Sequence, residues 1–285
     1  MLFDLPRPST MTYRCMMVVL DATPSNAVRA EAAIALARKF GAHLIGLAPI
    51  PVDELQFLEA TAPEDRLRAS AALATQAREL AQHFRNRCET AKLPSFESLA
   101  DTSPALDSVA MHAQCTDLLI LSQPDPSLPN HGEQVADLER ALLRCARPVL
   151  VLPYTHTESV HTSRVLLAWD GSRESVRAMT DALPLLRRAE IVRLMHWRDE
   201  PDGNQALEQL DSIRQWLALQ GVDAEAHDEM TTIPIGEALL NEASDMSANL
   251  IVMGAYGHSR WTERLLGGVS KTLLQSMTVP VLMSH

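Results

Sequence analysis

The sequence predicts an α/β protein made of two tandem repeats, each a parallel sheet with helices on both faces. Three observations carry that prediction. Short apolar runs of strand length alternate along the chain with longer helical runs, which is the pattern of βαβ units. The programme of runs restarts near the middle, and internal repetition decides architecture before other features do. The length, 285 residues, suits two domains of ordinary size, and an apolar content of 46% can fill two cores. Aromatic residues are only 4%, so those cores are aliphatic.

The first repeat opens with the apolar strand Met16–Leu20, which ends in Asp21. Ser25 or Asn26 can cap a helix over Ala27–Lys39 that stops at Gly41. A strand follows at His43–Ala48, and Pro49 and Pro51 are expected to end it. Residues 52–62 read as irregular. A long Ala-, Arg- and Gln-rich helix is expected from about Glu64 to Ala91, then a short strand over Ser95–Leu99. Pro104 suits the first position of a helix continuing to about Cys115. Leu118–Leu121 is a buried strand, Val135–Cys145 a helix, and Pro148–Leu152 the last strand of this half.

The second half begins with Val165–Trp169, which ends in Asp170, and Ser172 can cap the next helix. A strand at Ile191–Trp197, a helix at Gln205–Gln220 stopped by Gly221, an edge strand at Ala224–Met230 and a helix at Ile235–Met246 follow. The strand Leu250–Met253, a helix over Val269–Met277 and the strand Val279–Met283 close the chain. Asp21 and Asp170 match in context. Asp117 and the apolar run after it match Asn249 and its run, and Pro148 matches Pro280, with equal spacing in both halves. Gly254 therefore falls on Ser122, Gly257 on Asp125, Gly267 on Val135 and Gly268 on Ala136.

The segment from Asn249 to His285 holds the chemistry. Glycine lets a backbone approach a ligand closely, and Gly267-Gly268 stand where a helix begins. The first turn of a helix offers unpaired N–H groups and a positive dipole end, a natural place for phosphate. Ser270 adds a hydroxyl, His258 lies within reach of the same loop, and Arg260, Arg264 and Lys271 add local positive charge. The first half lacks all four glycines and places Asp125 and Glu133 there, which repel phosphate. The competing reading is that these are turn glycines of an α/β fold without a ligand, and that Asp170 only caps a turn.

The spacing Gly254-x-x-Gly257, nine residues, then Gly267 and a small residue resembles the nucleotide-binding signature of the universal stress protein family. Gly268 departs from the Ser or Thr usual there and removes one hydroxyl. The resemblance covers nearly the whole chain. It implies two adenine nucleotide alpha hydrolase-like sheets of strand order 3-2-1-4-5, packed as a pseudo-dimer: a tail over 1–12, a degenerate repeat over 13–155 and a glycine-bearing repeat over 160–285. It implies a cytoplasmic stress-response protein that binds ATP or a related adenine nucleotide, with Mg²⁺ as an optional companion. Asp170 then approaches the ribose or base, Ala168 and Trp169 flank the adenine, and Met253 and Gly254 open the phosphate side. Gly257, Gly267, Gly268, Val269 and Ser270 meet the phosphates. The alternative is an interaction protein of the same fold that binds no nucleotide, and a homodimer is a further option. An enzyme ranks last, for the chain has no Walker A sequence, no Ser-Gly-Gly loop and no Gly-x-Ser-x-Gly elbow.

Composition narrows the partners. A net charge of −11 argues against a broad nucleic-acid surface. No apolar stretch has the length to span a bilayer, and the first residues lack the pattern of a secretory signal. The histidines show no ligand spacing, so no metal is expected. Cys15, Cys88, Cys115 and Cys145 form no Cys-x-x-Cys pair and read as reduced core residues.

Overall fold

The computed structural model describes residues 12–51, 63–157, 159–198, 205–257 and 268–285. The expected tail up to residue 11, the stretch 52–62, and His258, Arg260, Arg264 and Gly267 of the glycine loop lie outside the described residues.

In the first repeat the elements are β1 (Cys15–Val19), α1 (Asn26–Phe40), β2 (His43–Ile50), α2 (Pro63–Thr90), β3 (Phe96–Pro104), α3 (Ala105–Ala113), β4 (Leu118–Ser122), α4 (His131–Arg144) and β5 (Val149–Leu152). In the second they are β6 (Arg164–Ala168), α5 (Arg173–Leu186), β7 (Ile191–Arg198), α6 (Gln205–Leu219), β8 (Glu225–Met230), α7 (Ile235–Asp245), β9 (Leu250–Gly254), α8 (Gly268–Ser276) and β10 (Val281–Ser284).

All ten strands form one sheet, ordered β3-β2-β1-β4-β5-β10-β9-β6-β7-β8. Each half has the order 3-2-1-4-5 and is parallel throughout, as expected. At the seam β10 pairs antiparallel with β5, Leu282 opposite Leu150. Two parallel sheets joined edge to edge by one antiparallel pair are related by an approximate twofold axis, and neither central edge is left unpaired.

The strands are buried on both faces, which is why they read as unbroken apolar runs. On one face Met16, Val18, Leu167 and Leu194 meet α1, α2, α5 and α6. On the other, Met17, Leu166, Met195 and Ile251 meet α3, α4, α7 and α8. The first helical layer comes very close at Gly46, where a Cβ would lie 2.3 Å from the Phe84 ring. Further bonds cross the seam. The Tyr13 hydroxyl donates to the Asp181 carbonyl at 2.7 Å, and the buried Gln123 amide donates to the Leu274 carbonyl at 2.9 Å.

The matched spacing of the halves extends to hydrogen bonds. Leu20 N–H donates to Leu47 O and Trp169 N–H to Met195 O, Gln123 N–H to Leu152 O and Ala255 N–H to Ser284 O. Asp117 accepts from the backbone at the foot of β1, and Asn249 accepts from the equivalent N–H of Arg164. Two prolines differ from expectation. Pro49 lies inside β2, where the register with β3 shifts between Ala48 and Ile50, so the bulge absorbs its missing donor. Pro104 is the residue before α3, with φ −53° and ψ 136°, because β3 runs longer than its polar sequence suggests. Pro234 holds the same place before α7. All four cysteines are thiols; Cys88 and Cys145 are core, but Cys115 is exposed in the turn after α3.

Candidate functional site

The strand order reverses at β6, which has β7 on one side and β9 on the other. Ligands of such sheets bind at the carboxyl ends of the strands beside that switch point. Asp170 follows β6, and Gly254 is the last residue of β9.

Asp170 is exposed. Its Oδ1 accepts from the Ser172 N–H at 3.0 Å and from the Ser172 hydroxyl at 2.5 Å. Gly171 between them has φ +78°, which a side chain would resist. Ser172 in turn caps α5, its Oγ accepting from Ser175 N–H at 3.1 Å. The turn-capping role thus occupies one carboxylate oxygen. Oδ2 bonds to none of the described residues and is left at the crevice.

The two described loop glycines pack against this capped end. A Cβ on Gly254 would lie 2.6 Å from the Ser175 backbone nitrogen, and one on Gly257 2.9 Å from the Ser172 hydroxyl. Between them Tyr256 takes φ +53°, and its N–H donates to the buried Ser270 hydroxyl at 3.2 Å. Burial, with Glu139 across the seam, raises the Tyr256 phenol well above its ordinary pKa. Ser270 therefore braces the loop on α8 as an acceptor. Gly268, the first residue of α8, is exposed, and Val269 packs against the core on the α7–α8 face.

Ala168 and Met253 belong to that same face. Trp169 does not. Alternation carries its ring to the α5–α6 face, where it lies 5.3 Å from the His196 ring. His196 Nδ1 is 2.9 Å from the almost fully buried Asp228, which also accepts from Arg198 Nε at 2.9 Å. Trp197 and Tyr256 are the aromatic residues that pack on the Ala168–Met253 side, and the sequence reading passed over Trp197. Period-two alternation from Met195 could have found it.

Glu174 is the second residue missed. Its side chain is 3% exposed, it bonds Arg173 Nε at 2.5 Å, and its Oε2 would lie 3.1 Å from a Cβ on Gly257. Burial pushes its pKa up, but the bond from Arg173 and its own backbone N–H outweigh that, and it stays below the ordinary value. A carboxylate in the first turn of a helix was the available signal.

In the first repeat the same place is filled. Arg29 stands as far after Asp21 as Ala178 after Asp170, and both lie in the buried stripe of their helix. Arg29 is 3% exposed, donates from Nε to Val19 O at 2.7 Å and pairs with Asp21 at 2.6 Å.

The family profile described as "Universal stress protein family" matches residues 161–285. The C-terminal repeat belongs to the universal stress protein family. A universal stress protein of Synechocystis sp. is 25% identical over 265 residues, spanning 90% of this chain and 85% of that protein. One from Mycolicibacterium smegmatis is 33% identical over 157 residues, covering 50% of this chain and 53% of its own. The crystal structure of a universal stress protein from Archaeoglobus fulgidus DSM 4304 superposes with a TM-score of 0.73, covering 95% of each chain at 16% identity, a likeness of fold. The fold of that structure therefore spans both repeats of this chain. No helix among the described residues is long and apolar enough to cross a membrane.

Proposed function

We propose that this is a regulatory universal stress protein of the cytoplasm whose C-terminal repeat binds ATP or a related adenine nucleotide. The observation that carries the reading is the divergence of two otherwise matched crevices. At the second, Asp170 keeps one oxygen open, Gly254 and Gly257 bear no side chains, and the exposed Gly268 begins a helix whose first-turn amides suit phosphate. At the first, Arg29 is buried under Asp21, and Asp125 takes the place of Gly257. The fit is partial. Asp170 and the α8 end suit ribose and phosphate, whereas Glu174 opposes an anion close to Gly257. Trp197 packs in the apolar cluster beneath Ala168 and Met253, the residues assigned to the base. We read the role as regulatory rather than catalytic, since Asp170 already holds the Ser172 turn through one oxygen and the chain carries no Walker A, Ser-Gly-Gly or Gly-x-Ser-x-Gly sequence.

A thermal-shift titration with ATP and Mg²⁺ tests the reading, together with mass spectrometry of small molecules that co-purify. A ligand that binds only the native state at a hundred times its Kd stabilises by about 2.7 kcal/mol. The packing of Gly254 and Gly257 against Ser172 and Ser175 favours a second reading, an interaction protein that binds no nucleotide. In that case the titration is flat and no nucleotide co-purifies.

A further inference from the structure

The degenerate first repeat is not solid at its own switch point. A cavity of about 220 Å³ lies there, between the start of α1, the ends of β4 and β5, and the connector between the repeats. At ~30 Å³ per molecule it has room for about seven waters, below the roughly 300 Å³ at which pockets for drug-sized ligands begin. It does not enclose a whole nucleotide.

Its lining has a definite chemistry. Ser25, Ser122, Thr155 and Thr157 contribute hydroxyls. Arg29 supplies a guanidinium that is 97% buried by its 3% side-chain exposure, with Nε and Nη2 committed to Val19 O, Asp21 and Asn26, while Nη1 bonds to none of the described residues. Asp125 supplies a carboxylate, and the Ser127 N–H bond at 2.8 Å holds its pKa low, so it is charged. The connector, residues 153–157, forms one wall. Tyr154 N–H donates to Gln123 Oε1 at 3.3 Å, and the same Gln123 side chain reaches the Leu274 carbonyl of the second repeat.

We propose that this cavity binds a small zwitterion of free amino-acid size, with its carboxylate toward Arg29 and its ammonium toward Asp125. The charges select that class. Asp125 repels a simple anion and attracts an ammonium, while Arg29, its charge already balanced by Asp21, still has its Nη1 hydrogens to offer a carboxylate, so a molecule carrying both groups engages both walls. The hydroxyls then satisfy what remains. The site is separate from the nucleotide crevice, and its ligand is held between the first repeat and the connector leading to the second.

Saturation-transfer NMR of the full chain with a mixture of the standard L-amino acids tests it, followed by titration of any binder. The matching amine without the carboxylate, the matching carboxylate without the amine, and glycerol are titrated alongside. At least one amino acid should give saturable transfer, each single-charge analogue should bind at least tenfold more weakly, and Asp125→Asn should weaken binding at least tenfold. Asn keeps the acceptor for Ser127 N–H, and circular dichroism checks that the variant is folded. Silence from every amino acid, unchanged affinity in Asp125→Asn, or glycerol binding equally well would each overturn the assignment. ATP stabilisation is recorded on the same samples, so loss of one site is told apart from loss of the other.

Discussion

Replacing Gly268 by Asp separates folding from nucleotide binding, because the same charge acts on them in opposite directions. Gly268 is the exposed first residue of α8, so a side chain added there points into solvent rather than into the core. Asp at the first turn interacts with the helix dipole by about 0.3–1 kcal/mol, and removing a glycine from a helix contributes a few tenths more. Gly268→Asp should therefore leave stability unchanged or raise it by about 1 kcal/mol. A phosphate held at the first-turn amides would sit roughly 6 Å from the new carboxylate. At an effective dielectric constant of about 20 that repulsion is about 3 kcal/mol per charge, or roughly a hundredfold in Kd. Urea unfolding measures the first quantity and ATP titration by calorimetry the second. Because the position is exposed, the binding loss should shrink at about 1 M salt, where the screening length falls to ~3 Å. Unchanged ATP affinity in a variant of full stability would refute the placement of phosphate at this helix end.

Other substitutions test the frame around the crevice. Gly254→Ala pushes a Cβ to 2.6 Å from the Ser175 backbone nitrogen, so stability should fall by about 1–3 kcal/mol in urea melts with or without ATP. Ser172→Ala removes the cap of α5 and the hydroxyl on Asp170, and should cost about 1 kcal/mol in the same assay. Asp181 is raised above its ordinary pKa, chiefly by burial, although Ser284 and Arg177 pull the other way. A carboxyl protonated more readily folded than unfolded makes stability fall as pH rises from the unfolded value, near 4, through the higher folded one. Asp181→Asn keeps an acceptor for Ser284 and should flatten that fall, so the variant gains on the wild type toward pH 7. Urea midpoints that stay parallel across pH 4–7.5 would contradict it.

What the sequence revealed and what it hid have physical reasons. Strands buried on both faces are apolar without interruption, so nearly every one was legible. The strand at Ser95–Leu99 was legible too, but its continuation through residues 100–104 was not, because a polar edge segment rich in Asp, Thr and Ser looks like a loop. Equal spacing between Asp117–Pro148 and Asn249–Pro280 predicted the tandem repeat, and the paired bonds at Gln123 and Ala255 bear that correspondence out at the level of backbone hydrogen bonds. Side-chain direction was harder. Asp170 and Trp169 are neighbours in sequence, yet alternation sends the indole to the opposite helical layer. Burial of charge was harder still, since nothing local in the sequence says that Glu174 is enclosed while its neighbour Arg173 is 81% exposed.

Arg29 joins these observations. Its position belongs to the buried stripe Ala30, Ala33, Ile34 and Ala37, where the second repeat has Ala178. A guanidinium there must find acceptors, because a buried charge without a partner is far costlier than a paired one. It finds the carbonyl that ends β1 and the carboxylate of Asp21. That satisfies the arginine by consuming the acid that, in the second repeat, still has an oxygen facing the crevice. The arginine thus fills the place that Ala178 leaves open in the second repeat, with the strand pairing of β1 kept. Where the second repeat has Gly254 and Gly257 the first has Ser122 and Asp125, and both line its cavity. Among the described residues the two repeats share the backbone bonds that end their central strands, Leu20 to Leu47 with Trp169 to Met195 and Gln123 to Leu152 with Ala255 to Ser284, so the side chains at Arg29, Ser122 and Asp125 carry the difference seen between the crevices.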